Sequence, residues 1–166
     1  KQKTAYEIPK RDWSSDVCSS NLAMSAQIWI VDDEAPIRSL LTTVLEKSGY
    51  NVTEFADAAS LKEKLGGSAP DVILLDLKLP DAEGLDLLPQ IKKAFPSAEV
   101  IILTGFATLD AAVMATKLGA YDFQKKPFDH KSLLLSVERA LEHKQLTEQT
   151  SRSEEHTSEL QSRFGI

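Results

Sequence analysis

The chain has a single cysteine, Cys18, so no intrachain disulfide can hold the fold together. Long hydrophobic runs are also missing. Runs such as Val72–Leu75 and Val100–Leu103 are strand-sized and fall far short of the roughly 20 apolar residues that cross a bilayer. Lys1–Ala26 lacks the continuous apolar core of a signal peptide. Cationic residues are the minority: 19 Lys and Arg stand against 25 Asp and Glu, a net charge of -6. That balance weighs against a nucleic-acid surface, where phosphate contacts reward concentrated Lys and Arg. These absences argue against a disulfide scaffold and a helical membrane protein. They point to a cytoplasmic chain with no membrane partner and no direct nucleic-acid contact. What is present is ordinary: 42% hydrophobic and 27% charged residues over 166 positions fit one well-packed domain.

The two ends differ from the middle. Neither KQKTAYEIPKRDWSSDVCSSNLAM at 1–24 nor SRSEEHTSELQSRFGI at 151–166 sustains a period of 2 or 3.6. Their composition reads as tails. RDWSSDVCSS (Arg11–Ser20) and RSEEHTSELQS (Arg152–Ser162) also resemble translated sequencing-adapter oligonucleotides. Residues 1–24 and 150–166 are therefore expected to be non-native or disordered flanks around a domain at 25–149. A native start near Met24 and a product continuing past Gln149 are expected, and no function is attached to Trp13, Cys18 or His156.

Between the flanks, strand-like and helix-like stretches alternate. Ile28–Val31 is an apolar run that stops abruptly at Asp32, Asp33 and Glu34, as a buried strand opening onto a polar site would. Pro36 suits the first turn of a helix, Ile37, Leu40, Leu41, Val44 and Leu45 follow at helical spacing, and Gly49 stops it. Val52–Phe55 predicts a second strand and Ala58–Leu65 a second helix, broken by Gly66 and Gly67. Val72–Leu75, ending in Asp76, is the most hydrophobic strand. The loop KLPDAEG leads from it into a helix over Leu85–Ala94, which Pro89 either shortens or kinks. Val100–Leu103 ends in Thr104 and Gly105. Ala111, Ala112, Ala115 and Leu118 make a small-faced helix, Tyr121–Phe123 a fifth strand, and Leu133, Leu134, Val137 and Leu141 a last helix with Asp129 as its N-cap. Five strand–helix units of this kind predict an α/β fold, a doubly wound parallel sheet with helices on both faces.

In such sheets ligands gather beyond the carboxyl ends of the strands. Asp32, Asp33, Asp76, Thr104 and Lys126 all follow predicted strands, so the topology collects them at one rim. Clustered carboxylates repel one another unless a cation or shared proton intervenes, and magnesium favours such hard oxygen donors. Asp32 and Asp33 are the predicted metal ligands, directly or through water. Asp76 offers one oxygen to the ion and the other as a nucleophile toward phosphorus. Lys126 supplies a positive charge, Thr104 a hydroxyl donor, and the Lys78 backbone carbonyl a further metal ligand. Taken singly, each has a plainer explanation: Asp32 and Asp33 as strand terminators or helix caps, Asp76 as a surface or capping residue, Thr104 as a polar loop residue, Lys126 as a solvated cation. Phe123 is read either as core or as an aromatic switch that rotates inward when Thr104 turns toward a bound phosphoryl group.

IWIVDDE (Ile28–Glu34), VILLDLKLPDAEGLDLL (Val72–Leu88), VIILTG (Val100–Gly105) and GAYDFQKKPF (Gly119–Phe128) together resemble the receiver domain of bacterial two-component response regulators. The likeness covers about Gln27–Lys144. GFATLDAAVMATKLGAYDFQKKPF is similar to receivers of sigma-54-dependent activators of the nitrogen-regulator class. The resemblance implies a flavodoxin-like strand order 2-1-3-4-5, with Asp76 as phosphoacceptor and Asp32 and Asp33 as the acidic metal pocket. It makes Thr104 and Phe123 the switch pair, Lys126 the phosphate-contacting lysine, and Lys126–Pro127 a cis peptide. It also implies a sensor histidine kinase as phosphodonor, self-catalysed phosphorylation and slow dephosphorylation, and an output domain, transcriptional in kind, outside this chain. A homodimer through the final two helices and the intervening strand is a further expectation.

Two other functions compete. A non-phosphorylated interaction module of the same fold would bind a partner on the face around Ala111–Leu118 and Leu133–Leu141. A magnesium-dependent phosphohydrolase would use Asp76 as nucleophile, but Lys78 stands where its acid–base partner would be.

Overall fold

A computed structural model describes the backbone of residues 26–163 and side chains as far as Ser151. The expected flank 1–24 lies outside the described residues. Five strands, β1 (Gln27–Val31), β2 (Asn51–Phe55), β3 (Val72–Asp76), β4 (Glu99–Thr104) and β5 (Asp122–Lys125), form one sheet in the order β2-β1-β3-β4-β5. All four pairings are parallel. Parallel neighbours need a crossover, and each is a helix: α1 (Ala35–Lys47), α2 (Ala58–Lys64), α3 (Gly84–Ala94) and α4 (Leu109–Lys117). A fifth helix, α5 (His130–Arg163), follows β5 and continues through the backbone of the expected 150–166 flank as far as it is described.

The continuous apolar strands reflect burial on both faces of the sheet. On one face Trp29, Val31, Ile73, Leu75, Val100 and Ile102 meet α2, α3 and α4 through Leu61, Leu87, Leu88, Ile91 and Ala115. On the other, Ile28, Ile30, Val72, Leu74, Ile101 and Leu103 meet α1 and α5 through Leu41, Leu45, Leu133 and Val137. Period-2 alternation decides the face, and both faces are dry, so every position in the run must be apolar.

Local signals set the ends of the helices. Pro36 sits in the first turn of α1, and Gly49 follows the helix with φ +90°, a conformation that favours glycine. Pro89 lies inside α3, at an exposed position, without interrupting it. Asp129 caps α5 by accepting from Ser132 N at 3.1 Å.

Two expectations need correction. The fifth strand is Asp122–Lys125 rather than Tyr121–Phe123. It is an edge strand, half-buried and polar, so hydrophobicity misplaces it; Tyr121 N still donates to Val100 O at 2.7 Å just before it. The face proposed for a partner also shifts. Leu133 and Val137 are fully buried and belong to the core, while the exposed apolar residue of that stretch is Leu135, 46% accessible.

Candidate functional site

The sheet ends at its carboxyl edge in side chains the core cannot hold. Asp32 extends β1 by one step: its N–H donates to Phe55 O at 3.1 Å, and its carboxylate is buried. Asp32 Oδ1 accepts from Glu34 N at 2.9 Å, a local turn that leaves Asp33 and Glu34 exposed at the mouth. Asp76 is the last residue of neighbouring β3 and is also buried, with Oδ1 accepting from Lys78 N at 3.1 Å. Its backbone is confined by Gly84 at the start of α3. A Cβ there would stand 2.4 Å from Asp76 O and 2.8 Å from Leu77 Cα, so only glycine permits this approach.

Lys126 arrives from beyond β5. Its N–H donates to Thr104 O at 2.8 Å, and the following Lys126–Pro127 peptide is cis. Its Nζ reaches Asp32 Oδ2 at 2.6 Å, Asp76 Oδ2 at 2.8 Å and Glu34 Oε1 at 3.3 Å. Residues 94 and 50 positions apart thus share one ammonium group. Thr104, fully buried at the end of β4, accepts from Phe106 N at 3.1 Å through Oγ1. Phe123 packs half-buried against the core on the α2–α4 face. Lys78 enters the site through its N–H, while its own Nζ lies 3.7 Å from the centroid of the Phe106 ring.

Charge does not balance here. Oxygens of Asp32, Asp33, Glu34 and Asp76 lie within 4.8 Å of one another. Four carboxylates against one ammonium leave an excess of negative charge. Burial pushes the Asp32 carboxyl above its usual range, and the Asp76 charge adds to that, despite relief from Lys126 and Glu34 N–H. Burial by itself would lower the pKa of Lys126, but its hydrogen bonds to Asp32 and Asp76 and their charges outweigh it and raise it. The Lys126 shift reflects the carboxylates gathered around its ammonium, and the Asp32 shift chiefly the cost of burying its charge. Hard oxygen donors at this density fit a divalent cation.

The structure thus brings Asp32, Asp33, Asp76 and Lys126 together, with Thr104 and Lys78 bordering them. Sequence reasoning missed two contributors. Glu34 was visible only as the third acid of the DDE run. Arg38, one turn into α1, donates through Nη1 to Asp32 O at 2.6 Å and pairs with Glu54 on β2 at 3.5 Å. A cation at that position carries no periodic signal that would mark it.

Comparison with known proteins agrees with this geometry. The family model for the response regulator receiver domain matches residues 28–138. The DNA-binding transcriptional regulator NtrC of Escherichia coli (strain K12) is 43% identical over 122 residues, covering 74% of this chain but 26% of that protein. This chain therefore spans about a quarter of that relative's length. A CheY-like receiver domain protein from Methanospirillum hungatei JF-1 superposes with TM-score 0.72 at 32% identity, covering 74% of this chain and 98% of the other. The beryllofluoride-activated NtrC4 receiver domain dimer gives TM-score 0.69 at 36% identity, with coverage of 71% and 98%.

Proposed function

Because the chain belongs to the response regulator receiver family, we propose that it receives a signal by accepting a phosphoryl group on Asp76 from a sensor histidine kinase. The observation that carries this reading is the Lys126 ammonium held between the Asp32 and Asp76 carboxylates at 2.6 and 2.8 Å. A carboxylate at the rim of the sheet, beside a fixed cation and a second acid, is suited to attack phosphorus.

In the proposed step an Asp76 oxygen forms a bond to phosphorus while the bond from phosphorus to the donor's leaving atom breaks, giving an acyl phosphate. Lys126 stays charged, as its raised pKa requires, and neutralises a phosphoryl oxygen. The Lys78 N–H, already directed at Asp76 Oδ1, orients the nucleophile. Asp32, Asp33 and Asp76, with the Lys78 carbonyl, would hold a magnesium ion. That ion, when bound, neutralises charge shared between the carboxylate and the phosphoryl oxygens. Water attack on phosphorus later releases phosphate and restores Asp76, so the protein is modified and reset rather than turning over a metabolite. Thr104 and Phe123 form the switch: the hydroxyl, which accepts from Phe106 N–H through its oxygen, turns to donate its O–H to a phosphoryl oxygen, and the half-buried ring follows inward.

The readout is the α4–β5–α5 face, through which the proposed homodimer forms. Leu109 at 81%, Val113 at 44% and Met114 at 46% accessibility on α4, with Leu135 on α5, leave apolar surface there. A transcriptional output domain outside this chain would then respond, with no nucleic-acid contact by the receiver itself.

Treatment with a small phosphodonor and magnesium, followed by intact-mass measurement and site mapping, tests the reading. One base-labile phosphoryl group on Asp76 is expected, and none in Asp76→Asn. A folded wild type that never gains that mass overturns it and favours a non-phosphorylated interaction module.

A further inference from the structure

Asp32 is held from both sides. Its carboxylate faces the pocket; its N–H makes the last bond to β2, with Phe55 O at 3.1 Å, and its carbonyl lies beyond the final Val31–Phe55 pair. The Arg38 guanidinium meets that carbonyl at 2.6 Å. Arg38 is in turn fixed from outside by Glu54, at 3.5 Å, and Glu54 accepts from Thr42 Oγ1 at 2.5 Å. The chain of contacts runs from edge strand β2 through α1 to the residue at the floor of the acidic site. Only a planar, multi-donor cation serves both ends at once; a lysine is a single point charge on a shorter reach.

We propose that Arg38 is a positioning residue for the metal pocket: by holding the Asp32 carbonyl it fixes the β1–α1 turn, and so the direction in which Asp32 and Asp33 present their carboxylates to a divalent cation. Arg38 touches neither the cation nor phosphorus and acts through Asp32. The inference rests on the acidic pocket binding a divalent cation and is independent of phosphoryl transfer to Asp76. Geometry and charge make opposite demands here. As a positive charge, Arg38 opposes cation binding, an opposition that Glu54 offsets. As a brace, it favours binding by arranging the turn before the cation arrives.

Titration calorimetry of the full chain with magnesium, on wild type, Arg38→Gln and Arg38→Lys, separates the two. Bracing predicts that Arg38→Gln binds magnesium roughly tenfold more weakly, the scale of losing an outer partner of a metal ligand. It predicts that Arg38→Lys, with its charge intact, is weakened too. Charge alone predicts tighter binding for Arg38→Gln and no change for Arg38→Lys. Either of those two results overturns the proposal, as does a lowered melting midpoint with unchanged magnesium affinity. If Arg38→Gln does not fold, the lysine variant decides. A wild type that binds magnesium in an Arg38-dependent way but never gains a phosphoryl group sinks the Asp76 reading and leaves this one standing.

Discussion

At the scale of single residues, the site is a contest between burial and pairing. Asp32 is 1% accessible, and its raised pKa records that the ammonium of Lys126 does not fully offset the loss of water. The sign follows. A folded state that holds the Asp32 proton more tightly than the unfolded chain loses stability as pH rises from the ordinary carboxylate range through the raised value, and the deficit persists at neutral pH. In magnesium-free buffer, Asp32→Asn is therefore expected to melt above wild type at neutral pH, with the difference shrinking in acid. Added magnesium should stabilise wild type and leave Asp32→Asn nearly unmoved, because only the former gains a bound state. Thermal melts across pH, with chelator and with magnesium, check both statements. Gly84 is the second residue on which the site depends. Gly84→Ala pushes a methyl into the Asp76 and Leu77 backbone, which cannot swing aside as a side chain would. A loss of about 3 kcal/mol is expected by chemical denaturation, at the upper end of the usual cost of overpacking.

At the scale of elements, the alternation of dry faces accounts for most of what could be read in advance. β1, β3 and β4 are legible because burial on both sides demands unbroken apolar runs. β5 is the least legible, since an edge strand has little such demand. In α5, periodicity identified Leu133, Leu134, Val137 and Leu141, all of which pack into or against the core, and left out Leu135. The packing shows the contrast. Leu133 is fully buried against the sheet and Leu135 is 46% accessible. Leu133→Ala is expected to cost about 3 kcal/mol, whereas Leu135→Ala should change stability by less than about 0.5 kcal/mol. Equilibrium denaturation of the two variants checks the contrast.

At the scale of the molecule, the strand order makes the site. β1 and β3 are neighbours at the centre of the sheet, where the order reverses direction, so Asp32 and Asp76 end side by side at the crevice. β4 and β5 extend the same edge, bringing Thr104 and Lys126 alongside. The opposite end of the sheet carries separate anchors: Asp71 accepts from Gln27 N at 2.8 Å and pairs with Lys144, and Glu99 meets His143 Nδ1 at 2.7 Å, tying α5 to β1, β3 and β4. Among the described residues no helix is long and apolar enough to cross a membrane. If phosphorylation works through the α4–β5–α5 face, phosphodonor treatment with magnesium should raise the dimer fraction of wild type. Met114→Lys should suppress that rise without preventing modification of Asp76. Sedimentation velocity beside intact-mass measurement is the check, and a modified protein whose self-association is unchanged would remove this face from the proposal.

The order of strands and helices, the abrupt change from apolar run to acid at Asp32 and Asp76, and the caps at Pro36, Gly49 and Asp129 were all determined along the chain, because each depends on residues within a turn or two. The folded arrangement alone decided that Asp32 is buried while Asp33 and Glu34 line the mouth, that one ammonium group is shared by three acids, and that Arg38 grips the Asp32 carbonyl. Those contacts join residues on different elements, and their distances depend on register, twist and packing that no local pattern encodes.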